Sequence, residues 1–200
     1  MDYHIRQFWQ WFSQNEAVFR NPDQAERAKE MLDNQVLTFG KFAWGIDRGP
    51  NDSYILIISP NNNKQLLDIS RQLVDEAPAL SNWDFLYCKP PLLDWDFKIR
   101  MFNQFYLPQL YDASKWQFVL IEEEDYRVSV EVKADNLHDL DWDDQQIAAS
   151  RAVTNVLGEE MRIEEVHSVK TVFEFDQQDK EWIYPFTEFG ERFLYFIEED

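Results

Sequence analysis

The chain has little cysteine, histidine and glycine, and each shortage excludes a class of site. Cys88 is its one cysteine, so no disulfide can form within the chain. The three histidines, His4, His138 and His167, stand in no paired ligand spacing, so a zinc hydrolase would lack its ligands. The five glycines form neither a dinucleotide-binding motif nor a phosphate loop, and they bracket no serine as a nucleophile elbow does. We therefore expect no cofactor.

Long apolar runs are also missing. Runs such as residues 55–58 are short, whereas a membrane-spanning helix needs about 20 apolar residues. The first residues, 1–4, lead into mixed polar and aromatic positions, and no basic stretch precedes an apolar one as in a signal peptide. We expect a soluble, cytoplasmic protein.

Basic charge is scarce. The 200 residues include 19 Lys and Arg against 38 Asp and Glu, a net charge of −19. Residues 134–200 alone carry 5 basic and 18 acidic side chains, a net charge of −13. Such a surface repels phosphate backbones and anionic lipids, so we expect no nucleic-acid and no membrane partner. It would attract a basic protein. The alternative is that the charge only keeps an aromatic-rich chain soluble.

Hydrophobic periodicity predicts both helices and strands. One buried helical stripe, within a helix over 4–20, is formed by Ile5, Phe8, Trp9, Phe12 and Phe19. Further helices are predicted near 22–36 and 64–77, and strands over 42–46, 54–59 and 83–88. The second half repeats this order with strands over 116–120 and 126–132, a helix over 143–157 closed by Gly158, and strands over 160–167 and 169–175. A helix after Pro185 ends the chain.

These elements predict an α+β fold in which two strand–strand–helix–strand units form mixed or antiparallel sheets, with helices at both termini. An apolar content of 44% and an aromatic content of 16% exclude a disordered chain. We expect a single compact domain over residues 1–200. The repeated order of elements over 41–90 and 115–175 indicates an internal duplication.

Three short motifs resemble a known family. They are Phe8-Trp9-x-Trp11-Phe12-x-x-Asn15-Glu16, Ala77-Pro78-x-Leu80-x-x-Trp83 and Leu157-Gly158-Glu159. Their order along the chain is similar to that of a family of uncharacterised bacterial cytoplasmic proteins with an aromatic N-terminal helix, catalogued as a domain of unknown function. The resemblance implies a bacterial, cytoplasmic α+β protein and supplies no catalytic residues.

The acidic loop over residues 135–144 is the most site-like stretch. Candidate metal ligands there are His138, Asp139, Asp141 and Asp143. Tested as a calcium loop beginning at Asp139, the stretch fails, because position six is Asp144 instead of glycine and position twelve is Ser150 instead of glutamate. A looser divalent site is one reading. The other is that Asp143 and Asp144 cap and charge the next helix, within a solvated loop.

Tryptophans beside acidic or polar residues are candidate interface anchors. They occur at positions 11, 95, 142 and 182, and we select Trp11, Trp142 and Asp144 as interface candidates. The alternative is a half-buried tryptophan that covers the edge of the core. The sequence thus predicts a non-enzymatic, acidic protein-interaction module, inhibitor- or immunity-like. The alternative function is a metal-assisted hydrolase that uses His138 and its neighbouring aspartates.

Overall fold

A computed structural model describes residues 2–102 and 105–198 of the chain. The chain divides into two compact units, Met1–Lys89 and Pro90–Asp200, and each unit has its own hydrophobic core. Our expectation that residues 1–200 behave as a single domain stays a prediction. No helix within the described residues combines the length and the apolar content that a membrane span requires.

The first unit packs helices against a three-stranded mixed sheet. Its elements are α1 (Asp2–Phe19), α2 (Ala25–Val36), β1 (Ala43–Arg48), β2 (Tyr54–Ser59), α3 (Lys64–Asp75) and β3 (Trp83–Leu86). The sheet has the order β1-β2-β3, in which β2 is antiparallel to β1 and parallel to β3. The predicted stripe of α1 is confirmed, because its five residues are the ones that α1 buries.

The second unit contains a hairpin, a four-stranded mixed sheet and three helices. Its elements are β4 (Lys98–Phe102), β5 (Pro108–Asp112), β6 (Gln117–Glu122), β7 (Val128–Lys133), α4 (Trp142–Leu157), α5 (Glu159–Glu165), β8 (Val166–Thr171), β9 (Tyr184–Pro185) and α6 (Phe189–Glu198). Strands β4 and β5 pair with each other as an antiparallel hairpin. The larger sheet has the order β8-β7-β6-β9.

Both units contain the same strand–strand–helix–strand path. In each, an antiparallel hairpin is followed by a helical crossover to a strand parallel to the second one. The paths are β1-β2-α3-β3 and β6-β7-α4-α5-β8, so the second crossover has two consecutive helices. Parallel neighbours need such a crossover, because a tight turn can join only antiparallel strands. The α+β fold, the mixed sheets and the helices at both termini are thus confirmed. An internal duplication stays a prediction that this shared path supports.

The strand predicted over 160–167 is wrong, because residues 159–165 form α5. The preceding residue, Gly158, has φ +78°, a conformation that a side chain would strain, and its N–H donates to the Thr154 carbonyl at 2.8 Å. Gly158 therefore ends α4, as predicted, and also lets the chain begin a second helix at once. Ile163 of that helix is buried and Met161 packs against the second core, and only then does β8 start.

The second core is dense in phenylalanine, and one residue tests its assignment. Phe189→Ala is expected to lower the free energy of unfolding by about 3–5 kcal/mol, because Phe189 is fully buried and its removal leaves a cavity. The matched control, Phe173→Ala, removes the same ring from a position that is 77% exposed and should cost about 0.5 kcal/mol or less. Chemical denaturation measures both. Equal losses would contradict the core assignment of Phe189.

Candidate functional site

The acidic loop is anchored to the second core at three points. Leu137 and Leu140 are buried in that core. Between them and β7, the side-chain oxygen of Asn136 accepts a hydrogen bond from the Trp116 indole N–H at 2.6 Å, and its amide nitrogen donates to the Asp112 carbonyl at 3.1 Å. The loop, which one of the two readings of the sequence treats as solvated, is therefore anchored to the core, and it forms a 3-10 turn at Asp135–Leu137 before α4.

The aspartates of this loop have separate structural roles. Asp139 accepts a hydrogen bond from the Tyr111 hydroxyl at 2.8 Å, and burial together with this bond raises the pKa of Tyr111 to about 12. Asp141 is the N-cap of α4, since its side chain accepts from the Asp144 N–H at 2.9 Å. The predicted capping by Asp143 and Asp144 is thus corrected. Both lie in the first helical turn, where they face the positive end of the helix dipole.

The candidate metal ligands are not assembled into one site. The exposed His138 places Nδ1 3.4 Å from the Asp135 carbonyl oxygen, while Asp139 and Asp141 bind the groups described above. Across residues 2–102 and 105–198, no three His, Cys, Asp or Glu side chains gather where they could hold a metal ion. A metal-assisted hydrolase at this loop therefore has no arranged ligand set to support it, and it stays a prediction.

Trp142 forms an exposed aromatic pair at the start of α4. Its side chain is 51% exposed, and its ring centroid lies 5.9 Å from that of Phe173, which follows β8. The two rings line a small cavity of about 130 Å³ together with His138 and Asp135. We call this the aromatic notch. Large rings that remain exposed beside carboxylates are suited to contact with another protein.

A larger cavity lies on the other side of α4, against the β4–β5 hairpin. This hairpin groove has a volume of about 610 Å³ and is lined by Arg100, Met101, Phe102, Tyr106, Asp141, Asp144, Ile147 and Arg151. The guanidinium of Arg151 lies 3.4 Å from the Arg100 carbonyl and 3.2 Å from the Met101 sulfur, so it ties α4 to the hairpin. Tyr106 is 86% exposed. The groove thus combines apolar walls with two aspartates and two arginines.

A charged pair closes the base of the hairpin. Lys98 and Asp112 face each other in the β4–β5 register, with Nζ and Oδ2 2.6 Å apart. Asp112 also accepts hydrogen bonds from the N–H and hydroxyl of Ser114. The bond from Lys98 and those from Ser114 lower the pKa of Asp112 to about 2. The hairpin is therefore fixed at the end where it joins the rest of the unit.

Trp11, the third interface candidate, lies in the first unit. It is half-buried on α1, with its ring 5.9 Å from Phe8 and 5.6 Å from Phe19. These contacts fit the alternative reading, in which the tryptophan covers the edge of the core. The structure gathers Trp142 and Asp144 at the start of α4, and it places Trp11 in a different core.

The sequence analysis assigns no helix or strand to residues 90–112, so it does not predict the hairpin. The signal was present, because Ile99 and Met101 alternate with exposed residues along β4 as in a strand with one wet face. Phe102 and Tyr106 stay exposed although their types favour burial. Sequence alone does not show that these two rings are exposed, since their exposure depends on where the hairpin packs.

Comparison of the chain with protein-family models, with curated proteins and with solved structures finds no match. The resemblance to the family of uncharacterised bacterial proteins therefore stays a prediction. The function has to be argued from the surfaces described above.

The pKa of Asp112 tests the base of the hairpin. A carboxyl whose pKa lies near 2 in the folded protein, below its ordinary value of 3.8, stabilises the fold above about pH 4, and this contribution is lost as the pH falls through 2. Lys98→Met should raise the pKa of Asp112 toward 3.8, as measured by NMR titration of the carboxyl carbon. An unchanged pKa would contradict the Lys98 contact.

The N-cap of α4 gives a second test. Asp141→Ala is expected to lower the free energy of unfolding by about 1 kcal/mol, because the N–H of Asp144 loses its acceptor. Asp141→Asn removes the charge but keeps an acceptor, so it should retain most of that stability. Asp143→Ala is the control for a charge lost in the same turn. If the alanine and asparagine variants of Asp141 are equally destabilised, the cap assignment is wrong.

Proposed function

We propose that this protein is a non-enzymatic interaction module that binds a basic protein through the surface at the start of α4. One observation carries the proposal. The aromatic notch and the hairpin groove flank the same helix end, and both present exposed aromatic side chains within the strongly acidic unit. We call this combined area the α4 surface.

Apolar anchors supply the contact area in this proposal. Trp142, Phe173, Phe102 and Tyr106 are each at least half exposed, and Ile147 adds an aliphatic side chain from the second turn of α4. Tryptophan and tyrosine are enriched among the residues that dominate binding energy at protein interfaces. Exposed apolar residues that gather around cavities mark interaction sites more often than scattered ones do.

Charge selects the partner in this proposal. Residues 90–200 carry 10 basic and 26 acidic side chains, a net charge of −16, whereas residues 1–89 have a net charge of −3. Long-range attraction therefore steers a basic protein toward the second unit and repels nucleic acids. The hairpin groove itself holds two carboxylates and two guanidinium groups, so it suits an apolar side chain of the partner. The aspartates around the groove suit the basic side chains of the partner.

An inhibitor- or immunity-like role is one form of this function. An acidic surface with preformed apolar cavities can cover a basic working surface on another protein and so block it. This role needs no catalytic residue, which agrees with the separate structural roles of the loop aspartates.

Site-specific crosslinking in the source cells tests the proposal. A photoreactive phenylalanine analogue replaces Trp142, Tyr106 or, as a control in the first unit, Tyr3, which is 70% exposed. We expect positions 142 and 106 to form an adduct with the same basic protein, and position 3 to form none. Mass spectrometry identifies the adduct.

The purified partner then gives the quantitative test. Trp142→Ala should weaken binding at least about tenfold, as is typical of an interface anchor, while Tyr3→Ala should leave the Kd unchanged. The association rate constant should fall as salt is added, because the attraction is electrostatic. An acidic partner, an adduct formed equally from all three positions, or no adduct at positions 142 and 106 would overturn the proposal.

A further inference from the structure

A third cavity of the second unit is lined by aromatic residues and a carboxylate. It has a volume of about 290 Å³ and lies between the sheet and α6, and its walls include Leu120, Glu122, Trp182, Tyr184, Tyr195 and Phe196. Trp182 and Tyr195 are each 59% exposed. We call it the α6 pocket. Its aromatic residues come from the 3-10 turn at Gln177–Trp182, from β9 and from α6.

One wall of the α6 pocket already holds a cation against an aromatic ring. The guanidinium carbon of Arg192 lies 4.2 Å from the centroid of Tyr184, within the range of a cation–π contact. The same guanidinium donates two hydrogen bonds to one carboxylate oxygen of Glu188, both at 3.1 Å. Arg192 and Glu188 thus form an exposed ion pair with no net charge, and Glu122 adds a negative charge to the lining.

Negative charge continues beyond the α6 pocket. A neighbouring cavity of about 270 Å³ shares Glu122 and Phe196 with it and adds Glu165 and Tyr126 to the lining. The turn that follows Glu122 in the chain contributes three further acidic residues, at 123–125, of which Asp125 is paired with Arg127. An anionic ligand would have to approach against this field, whereas a cation is drawn into it.

We propose that the α6 pocket binds the side chain of a lysine presented by a basic protein. The rings of Trp182 and Tyr195 attract the ammonium through their negative faces, whereas that of Tyr184 already holds Arg192. Glu122 supplies the counter-charge, and Leu120 and Phe196 contact the apolar stem. The inference deepens the proposed function, since it names a second contact for the same class of partner. Its test uses a small probe, so it does not depend on the α4 surface.

The probe is Nα-acetyl-lysine N-methylamide, titrated into the whole protein and followed by NMR. The reporter is the indole N–H signal of Trp182, identified by its absence in Trp182→Phe. We expect a saturable shift with a millimolar Kd. The norleucine analogue, which keeps the stem and lacks the ammonium, should bind about five- to tenfold more weakly, in line with an exposed cation–π contact and one carboxylate.

A matched pair of variants distinguishes binding in the α6 pocket from attraction by the negative charge of the whole protein. Glu122→Gln should weaken lysine binding at least about fivefold. Glu124→Gln makes the same change in net charge two residues away, at an exposed position outside the lining, and should leave the Kd within about twofold. A spectrum that is otherwise unchanged confirms that each variant is folded.

Three outcomes would overturn the lysine pocket. They are equal affinity for the lysine and norleucine probes, equal weakening by the two glutamate variants, and lysine-dependent shifts of the Trp142 indole with none at Trp182. None of these outcomes bears on the proposed function of the α4 surface, which the crosslinking experiment tests separately. Conversely, failure of crosslinking at positions 142 and 106 would leave a positive lysine titration standing.

Discussion

Each unit of this protein is organised by one parallel strand pair, β2–β3 in the first unit and β7–β8 in the second. A parallel neighbour cannot be reached by a tight turn, so the chain must leave the sheet, cross it as a helix and return. In the second unit this crossover consists of α4 followed by α5, and the acidic loop is the connection through which the chain leaves β7. The α4 surface is therefore located by the topology of the sheet.

The acidic loop shows why a run of carboxylates is hard to interpret from sequence. Asp139 and Asp141 look equivalent as letters, yet one accepts a bond from a buried tyrosine and the other caps a helix. A carboxylate used in this way is oriented by its donor and is less available to a ligand. Trp142, next to the capping Asp141, keeps half of its side chain exposed and contacts only one other ring, that of Phe173, among the ring pairs of the described residues.

Most of the secondary structure could be predicted because it follows from local patterns. The stripe of α1 and the end of α4 at Gly158 each depend on residues within a few positions of one another. The prediction of secondary structure is wrong where the conformation of a segment depends on residues distant from it in the sequence. The segment forming α5 reads as a strand until its position beside Gly158 and the core is known.

The candidate site was predictable to a smaller extent. Trp142 and Asp144 could be selected, because a tryptophan among acidic residues is conspicuous in a sequence. Their neighbours Phe173 and Tyr106 come from separate parts of the chain, and only the folded structure shows that they flank the same helix. The α6 pocket was missed for the same reason, although Trp182 had been noted as a tryptophan beside an acidic residue.

The inner face of α4 has a consequence for how tightly this surface can bind. Ala148, Ala149 and Ala152 are fully buried there, so the helix backbone packs closely against its unit. Short side chains leave no rotamers to rearrange, and the helix has little freedom to shift. The backbone that carries Trp142 and Ile147 is thus fixed by the core. In the proposed complex, association would lose little backbone entropy in this helix, and more of the contact energy would remain as affinity.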